Sequence, residues 1–171
     1  MNHPVDFTPF NKPHTPTKEA EEFIYQIYSL LFEAKGINLR TKQTTLETAA
    51  VNLYPWKVVC ISEAALRHIL TTGLADGLRR GHPFKRADRA KRLFDRAEAM
   101  KIREFIKYYF ENDTVALVMR KENGKHGTNH WSRLIDVPEG RLSTGSFAVR
   151  LGPGDLDWVK DTCAEEKIYI V

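Results

Sequence analysis

Apolar residues in the first part of the chain recur at spacings of three and four, which is typical of helices that bury one face. The clearest series is formed by Ala20, Phe23, Ile24, Ile27, Leu31 and Ala34. Thr15 or Thr17 can cap this predicted first helix, and Gly36 ends it. The sequence Thr44-Thr45-Leu46-Glu47 has the form of a capping box. A short second helix is therefore expected to begin there and to stop before Pro55.

The pattern changes at Trp56. Residues 56–61 are rich in branched and aromatic side chains and apolar on both faces, which indicates a buried strand. Ser62 is a favourable cap for a third helix, for which Gly73 is a plausible end. The apolar residues within 74–81 follow neither a helix nor a strand spacing, and this segment is interpreted as a connector to the next helix.

Strand-like patterns dominate the C-terminal third. Residues 114–120 predict a strand, and Asn123-Gly124 is the signal of a two-residue hairpin turn. That turn places Glu122 opposite Lys125, a favourable cross-strand pair, and leads into a return strand at 130–137. Weaker patterns predict a strand at 147–151, a helix capped by Asp155 and a final strand at 168–171.

The order of these elements predicts the fold class. Because helices gather early in the chain and strands late, we expect an α+β fold with N-terminal helices packed on a small, mostly antiparallel C-terminal sheet. The length of 171 residues fits one domain, assigned to residues 17–171. Residues 1–16 contain four prolines and predict a flexible tail.

Composition narrows the class of protein. With 42% apolar and 28% charged residues the chain is typical of a globular protein. Its longest apolar runs fall far short of the ~20 residues that span a membrane, and its N-terminus lacks a secretory pattern. We therefore expect a cytoplasmic protein without membrane contact. Cys60 and Cys163 lie in apolar patterns and are interpreted as reduced, buried residues. No zinc spacing is present, and no metal or cofactor is expected.

Positive charge is concentrated in one segment. Residues 79–92 contain seven Lys or Arg and a single acid, Asp88, which gives a net charge of +6. The whole chain carries only +4, so the remainder is slightly acidic. A local excess of this kind favours an anionic partner, in particular nucleic acid.

The spacing of these cations predicts a surface. A helix is expected to start near Pro83 and to run through 87–110, either unbroken or bent near Met100. Four cations, Lys85, Arg89, Arg92 and Arg96, would lie within about 40° of one another and form a row about 16 Å long. Ala90, Leu93, Phe94 and Ala97 would face the core.

This arrangement leads to the main functional hypothesis. Cations at a helix start are locally unfavourable unless an anion is near, and free N–H groups there are suited to phosphate. We therefore predict a nucleic-acid-binding protein, with DNA favoured over RNA, that clamps phosphates with a basic loop and helix start. The predicted contact residues are Arg79, Arg80, His82, Lys85, Arg86, Arg89, Arg92 and Arg96.

Several alternatives remain open. His82, surrounded by cations, could act as general acid or base in a nuclease or phosphodiesterase. Asp113 with Glu122 and Lys125 faintly resembles the acidic residues and lysine of metal-dependent nucleases. His126 and His130 could share a metal only if they lay on a loop or helix. The basic segment could instead make the protein a regulatory or inhibitory module that docks on an acidic protein surface.

Overall fold

The structure, a computed structural model, describes residues 16–124, 131–142 and 149–169. This part of the chain forms six helices and four strands. In chain order they are α1 (Lys18–Glu33), α2 (Leu39–Val51), β1 (Lys57–Ser62), α3 (Glu63–Thr72), β2 (Leu78–Gly81), α4 (Arg86–Phe94), α5 (Ile102–Asn112), β3 (Thr114–Met119), β4 (Leu134–Asp136) and α6 (Asp155–Glu165).

The strands form one mixed sheet in the order β2-β3-β1-β4. β1 and β3 are parallel, whereas β2 pairs with β3 and β4 pairs with β1 in antiparallel fashion. Two of the three pairings are therefore antiparallel. The prediction of an α+β fold with helices packed on a mostly antiparallel sheet is confirmed.

Two main cores hold the fold together. One lies on a face of the sheet, where Ile61 and Leu117 pack with residues of α3 and α6 such as Leu66 and Val159. The other joins α1, α2, α4 and α5 and is rich in aromatic rings. Its centre is a stacked pair formed by Tyr28 and Phe105, whose ring centroids are 4.4 Å apart.

Local sequence signals explain where several elements begin and end. The Thr17 hydroxyl accepts a hydrogen bond from the amide of Ala20 at 3.3 Å and caps α1. The Ser62 hydroxyl does the same for Ala65 at 3.2 Å at the start of α3. α3 ends at Gly73, which has a φ of 69°, a backbone angle that glycine adopts without steric cost. These three predictions are confirmed.

The predicted start of the second helix is wrong. α2 begins earlier, at Leu39, because the Asn38 side chain accepts a hydrogen bond from the amide of Thr41 at 2.9 Å. Thr44 and Glu47, interpreted as a capping box, lie inside the helix. Glu47 is thereby free to make long-range contacts with its side chain.

The predicted connector is also corrected, and of the two forms left open for the helix over 87–110 the interrupted one is observed. Residues 78–81 form an edge strand, β2, that pairs with β3. The helix expected over 87–110 is two helices, α4 and α5, separated by residues 95–101. The amide of Met100 in this break donates to the buried Tyr28 hydroxyl at 2.9 Å.

The predicted hairpin after β3 does not form. β3 lies between β1 and β2, so both of its edges are occupied and β4 pairs with β1 instead. Glu122 is buried and accepts hydrogen bonds from the Ser62 and Ser132 hydroxyls, each at 2.6 Å. Its expected partner Lys125 lies outside the described residues.

Other predictions fall partly or wholly outside the described residues. Of the tail, only Pro16 is described. Residues 149–151 form no strand, and neither do residues 168–169. The residue before α6 is Gly154, not Asp155, whose buried carboxylate accepts from the amide of Gly152 at 2.7 Å. None of the helices seen in the described part of the chain is both long and apolar enough to cross a membrane.

Candidate nucleic-acid interface

Arg89 lies inside the protein rather than on its surface. Its side chain is 0% exposed and forms ion pairs with Glu47 of α2 and with Asp113, the latter with 2.7 Å between Nη1 and Oδ1. Nη1 also donates to the carbonyl of Asn112 at 2.9 Å. The prediction that Arg89 belongs to an exposed row is therefore wrong. The buried face of α4 includes Arg89 as well as its apolar residues. The guanidinium can be buried there because two buried carboxylates neutralise it.

Glu47 is the centre of this network. It accepts hydrogen bonds from Arg89, from Arg86 and, at 2.7 Å, from the Nε2 of Gln43. Burial alone would raise the pKa of Glu47, but the two guanidiniums and the Gln43 amide together hold it below its ordinary value. Glu47 is therefore a carboxylate throughout the neutral range.

Asp113 closes the other side of the network. The Trp56 indole donates to its Oδ1 at 3.0 Å, and the Tyr54 hydroxyl donates to its Oδ2 at 3.2 Å. Burial raises the pKa of Asp113, although Arg89 opposes that effect. Three donors at one buried carboxylate fix the loop between α5 and β3 against β1 and α4.

Arg80 and His82 approach the same cluster from the end of β2. The Arg80 guanidinium lies over the Trp56 ring, 4.1 Å from its centroid, and the His82 ring meets the same indole edge-on at 5.9 Å between centroids. Burial is the largest cause that lowers the pKa of His82, the neighbouring guanidiniums add to it and Glu47 opposes it, and together they bring the pKa to about 4. His82 is therefore a neutral imidazole at neutral pH. Its Nδ1 is shielded from solvent and has no partner among the described residues.

Arg79 does not join this group. Successive residues of a strand point to opposite faces, so Arg79 lies on the face opposite Arg80. There it stands next to Val118 in the pairing of β2 with β3. The Trp131 ring packs on the neighbouring Gly81 so closely that a Cβ on Gly81 would lie 2.2 Å from it. The two arginines predicted to reach together from one loop are thus separated by the sheet.

The rest of the predicted row is only partly assembled. Arg96 lies beyond the end of α4 and pairs with Glu104 of α5 at 3.3 Å. Lys85 and Arg92 are exposed. Lys85 is the residue before α4 and Arg92 follows it seven positions later, so they lie on about the same side of α4 and about 10 Å apart along its axis. The exposed row of four therefore reduces to these two cations.

The structure brings together Arg80, His82, Arg86 and Arg89 of the predicted set, with Lys85 and Arg92 along one side of α4. Three further members of the cluster, Glu47, Asp113 and Trp56, were not predicted from the sequence. Glu47 resembles a capping residue and Asp113 a residue before a strand, so neither carries a local signal of a buried ion pair. One signal was available: Arg89 stands one helical turn before Leu93 and so lies on the apolar side of α4.

The two metal-site alternatives, Asp113 with Glu122 and Lys125 and His126 with His130, receive no support from the described residues. Asp113 is engaged by Arg89, and Glu122 accepts from two serine hydroxyls and from the amides of Met119 and Ser132, each at 2.8 Å. Lys125, His126 and His130 lie outside the described residues. Within the parts of the chain that are described, no three His, Cys, Asp or Glu side chains cluster as metal ligands would.

Comparison of the chain with models of protein families, with curated proteins and with solved structures finds no match. Function must therefore be inferred from this cluster and its surface.

Proposed function

We propose that the protein binds nucleic acid, DNA in preference to RNA, through its phosphates. The contact region is the β2–α4 surface, defined here as Arg80, His82, Lys85, Arg86 and Arg92. One observation carries the proposal. In the described part of the chain, the end of β2 and the start of α4 bring three guanidiniums and a neutral imidazole around the carboxylates of Glu47 and Asp113, and the exposed cations Lys85 and Arg92 flank them.

Neighbouring guanidiniums at this corner repel one another. Glu47 is shared by Arg86 and Arg89, and Asp113 is bound by Arg89. Burial lowers the pKa of Arg80 to about 10, and the nearby Arg86 contributes to that shift. A phosphate at this corner would relieve the repulsion between these cations and would stabilise each of them in its charged form.

The exposed cations extend the contact along α4. Lys85 and Arg92, about 10 Å apart, span several phosphates of a duplex, which carries one charge per ~1.7 Å of axis. Arg86 is partly exposed, with 46% of its side chain accessible, so it can contact a ligand while it remains bonded to Glu47. Trp56 is buried and serves as a platform for Arg80, not for a base.

The double variant Lys85→Ala/Arg92→Ala tests the proposal. Fluorescence anisotropy with labelled duplex DNA, single-stranded DNA and RNA would give affinity as a function of salt. For duplex DNA, the slope of log affinity against log salt concentration should be smaller in magnitude by about 2 in the variant, because two phosphate contacts are lost. Lys101→Ala/Arg103→Ala at the start of α5 removes the same charge from an equivalent helix position and should leave the slope unchanged.

Two outcomes would reject the proposal. One is no measurable affinity for any of the three nucleic acids at ~50 mM salt. The other is an equal loss of slope in both double variants, since that would show a response to net charge alone. A protein complex that persists after nuclease treatment and depends on Lys85 and Arg92 would favour the acidic-partner alternative instead.

The nuclease alternative rests on one observation, the neutral imidazole of His82, whose Nδ1 has no partner in the described part of the chain. A neutral imidazole beside guanidiniums can accept a proton from an attacking water or hydroxyl while the cations stabilise the phosphorane. This hypothesis requires that cleavage disappear in His82→Ala while nucleic-acid binding persists. Binding without any cleavage by the wild-type protein contradicts it.

A further inference from the structure

A groove separates α2 from α4, next to the β2–α4 surface. Its volume is about 360 Å³, which lies within the range of small-molecule sites. Its lining residues are Leu39, Arg40, Gln43, Arg86, Ala87, Ala90 and Lys91. The groove is thus formed by the first half of α2 and by α4 from its first residue to Lys91, and it shares only Arg86 with the β2–α4 surface.

The lining combines an apolar wall with a cationic rim. Leu39, Ala87 and Ala90 supply aliphatic carbon on both sides, so a flat apolar group fits between the helices. Arg40 on α2 and Lys91 on α4 are exposed. Together with Arg86 they provide three positive charges. No Asp or Glu is among the described residues of the lining. Charge complementarity therefore favours an anionic ligand with an apolar portion.

Gln43 adds a requirement for a hydrogen-bond donor. It is 2% exposed, and its Nε2 donates to the Glu47 carboxylate at 2.7 Å. Because an ionised carboxylate only accepts, this bond fixes the orientation of the amide. Its Oε1 is left shielded and without a partner in the described part of the chain. A buried carbonyl oxygen without a partner is unfavourable, and a donor from a ligand would satisfy it.

We propose that this groove binds a nucleotide. The base lies between Leu39, Ala87 and Ala90, and an amino or imino group on its edge donates to the Gln43 Oε1. The phosphate lies at the rim, within reach of Arg40 and Lys91. The occupant is either a free nucleotide or one nucleotide unit of a strand. The groove can be occupied whether or not the β2–α4 surface binds a longer nucleic acid.

Calorimetric titration of the full chain with adenosine monophosphate tests the proposal. Ala87→Trp fills the groove from an exposed helix position, so the variant should fold. Ala97→Trp, at an exposed position between α4 and α5, is the matched control. We expect binding by the wild type and the control and a loss of at least about tenfold in affinity in Ala87→Trp.

Two ligand analogues separate the contacts. Adenosine, which lacks the phosphate, should bind about tenfold more weakly than the monophosphate. Purine riboside monophosphate, which lacks the amino group, should bind the wild type more weakly than adenosine monophosphate by a similar factor. In Gln43→Met this difference in affinity between the two ligands should disappear. Equal affinity for the three ligands would overturn the assignment of these contacts. No heat and no chemical-shift change with ~5 mM adenosine monophosphate would overturn the site itself.

A short oligonucleotide distinguishes the two sources of the nucleotide. If four linked deoxyadenosines bind and Ala87→Trp weakens that binding, the groove holds one unit of a strand. If only the free nucleotide responds to Ala87→Trp, the groove is a separate small-ligand site. A third outcome would reject the groove as a binding site while the proposal for the β2–α4 surface stands. In that outcome no nucleotide binds, and nucleic-acid binding is weakened by Lys85→Ala/Arg92→Ala but not by Ala87→Trp.

Discussion

His82 should make the stability of the protein depend on pH between neutrality and pH 4. Its folded pKa is about 4 against an ordinary value of 6.5, chiefly because burial disfavours the charged ring. Over this interval the unfolded chain binds a proton that the folded chain does not. Stability from this residue is therefore complete above pH 6.5 and is lost as the pH falls towards 4. The change His82→Gln removes the effect because glutamine does not titrate.

The size of the effect follows from the two pKa values. Proton linkage with these values predicts that the wild type loses about 2 kcal/mol of unfolding free energy between pH 7 and pH 5 through His82 alone. Glu47 adds little there, because its lowered pKa puts its loss of stability below its ordinary value of 4.5. The contribution of Asp113, whose pKa is raised, instead increases as the pH falls, and it does so in both proteins. The difference between wild type and variant therefore isolates His82.

Urea unfolding at pH 5, 6 and 7 would measure this difference. His82→Gln should be less stable than the wild type at pH 7, since it loses the contact with Trp56, but its stability should fall less on acidification. The difference in unfolding free energy between the two proteins should be about 2 kcal/mol smaller at pH 5 than at pH 7. Parallel curves over the whole range would refute the reasoning and would mean that the imidazole is accessible to protons in the folded state.

Three further predictions concern packing and the ionic network. Arg89→Met should reduce the unfolding free energy by about 3–5 kcal/mol, because Glu47 loses one of its cations and Asp113 loses its only one among the described residues. Arg92→Met, at an exposed position, should change it by less than about 0.5 kcal/mol. Urea unfolding of both variants would measure these changes. Gly81→Ala should destabilise the protein because its Cβ would meet the Trp131 ring, and combination with Trp131→Ala should recover part of that loss, measured as thermal midpoints. Adding ~10 mM phosphate at pH 7.5, where His82 is neutral, should raise the thermal midpoint of the wild type more than that of Lys85→Ala/Arg92→Ala, because the anion binds the folded protein through these cations.

Local signals predicted the elements whose ends depend on nearby residues. Thr17, Ser62 and Gly73 act within one turn of their own helix, so their roles are visible in the sequence. The hairpin at Asn123-Gly124 failed for a non-local reason. β3 already has β1 and β2 as neighbours, and the return strand therefore had no free edge to join.

The candidate site was harder to predict for the same reason. A helical wheel gives the angles between Lys85, Arg89 and Arg92, but not which of them faces the core. That choice depends on Glu47, which lies 42 residues before Arg89 in sequence, and on Asp113, which lies 24 residues after it. Neither acid stands in a pattern that indicates a buried ion pair. The segment was found from its charge, whereas the division of that charge between core and surface required the tertiary structure.

This division changes the meaning of the basic segment. Of its seven cations, Arg86 and Arg89 form ion pairs with Glu47 and Asp113, so part of the charge excess stabilises the packing of α4 on α2. Arg86 belongs to both roles, since it binds Glu47 and also borders the groove and the β2–α4 surface. A ligand phosphate that draws Arg86 away from Glu47 would weaken the α2–α4 contact, and one that adds to the existing pair would strengthen it. Binding and stability at this corner are therefore coupled through one guanidinium, and Arg86 is the position where a substitution should alter both.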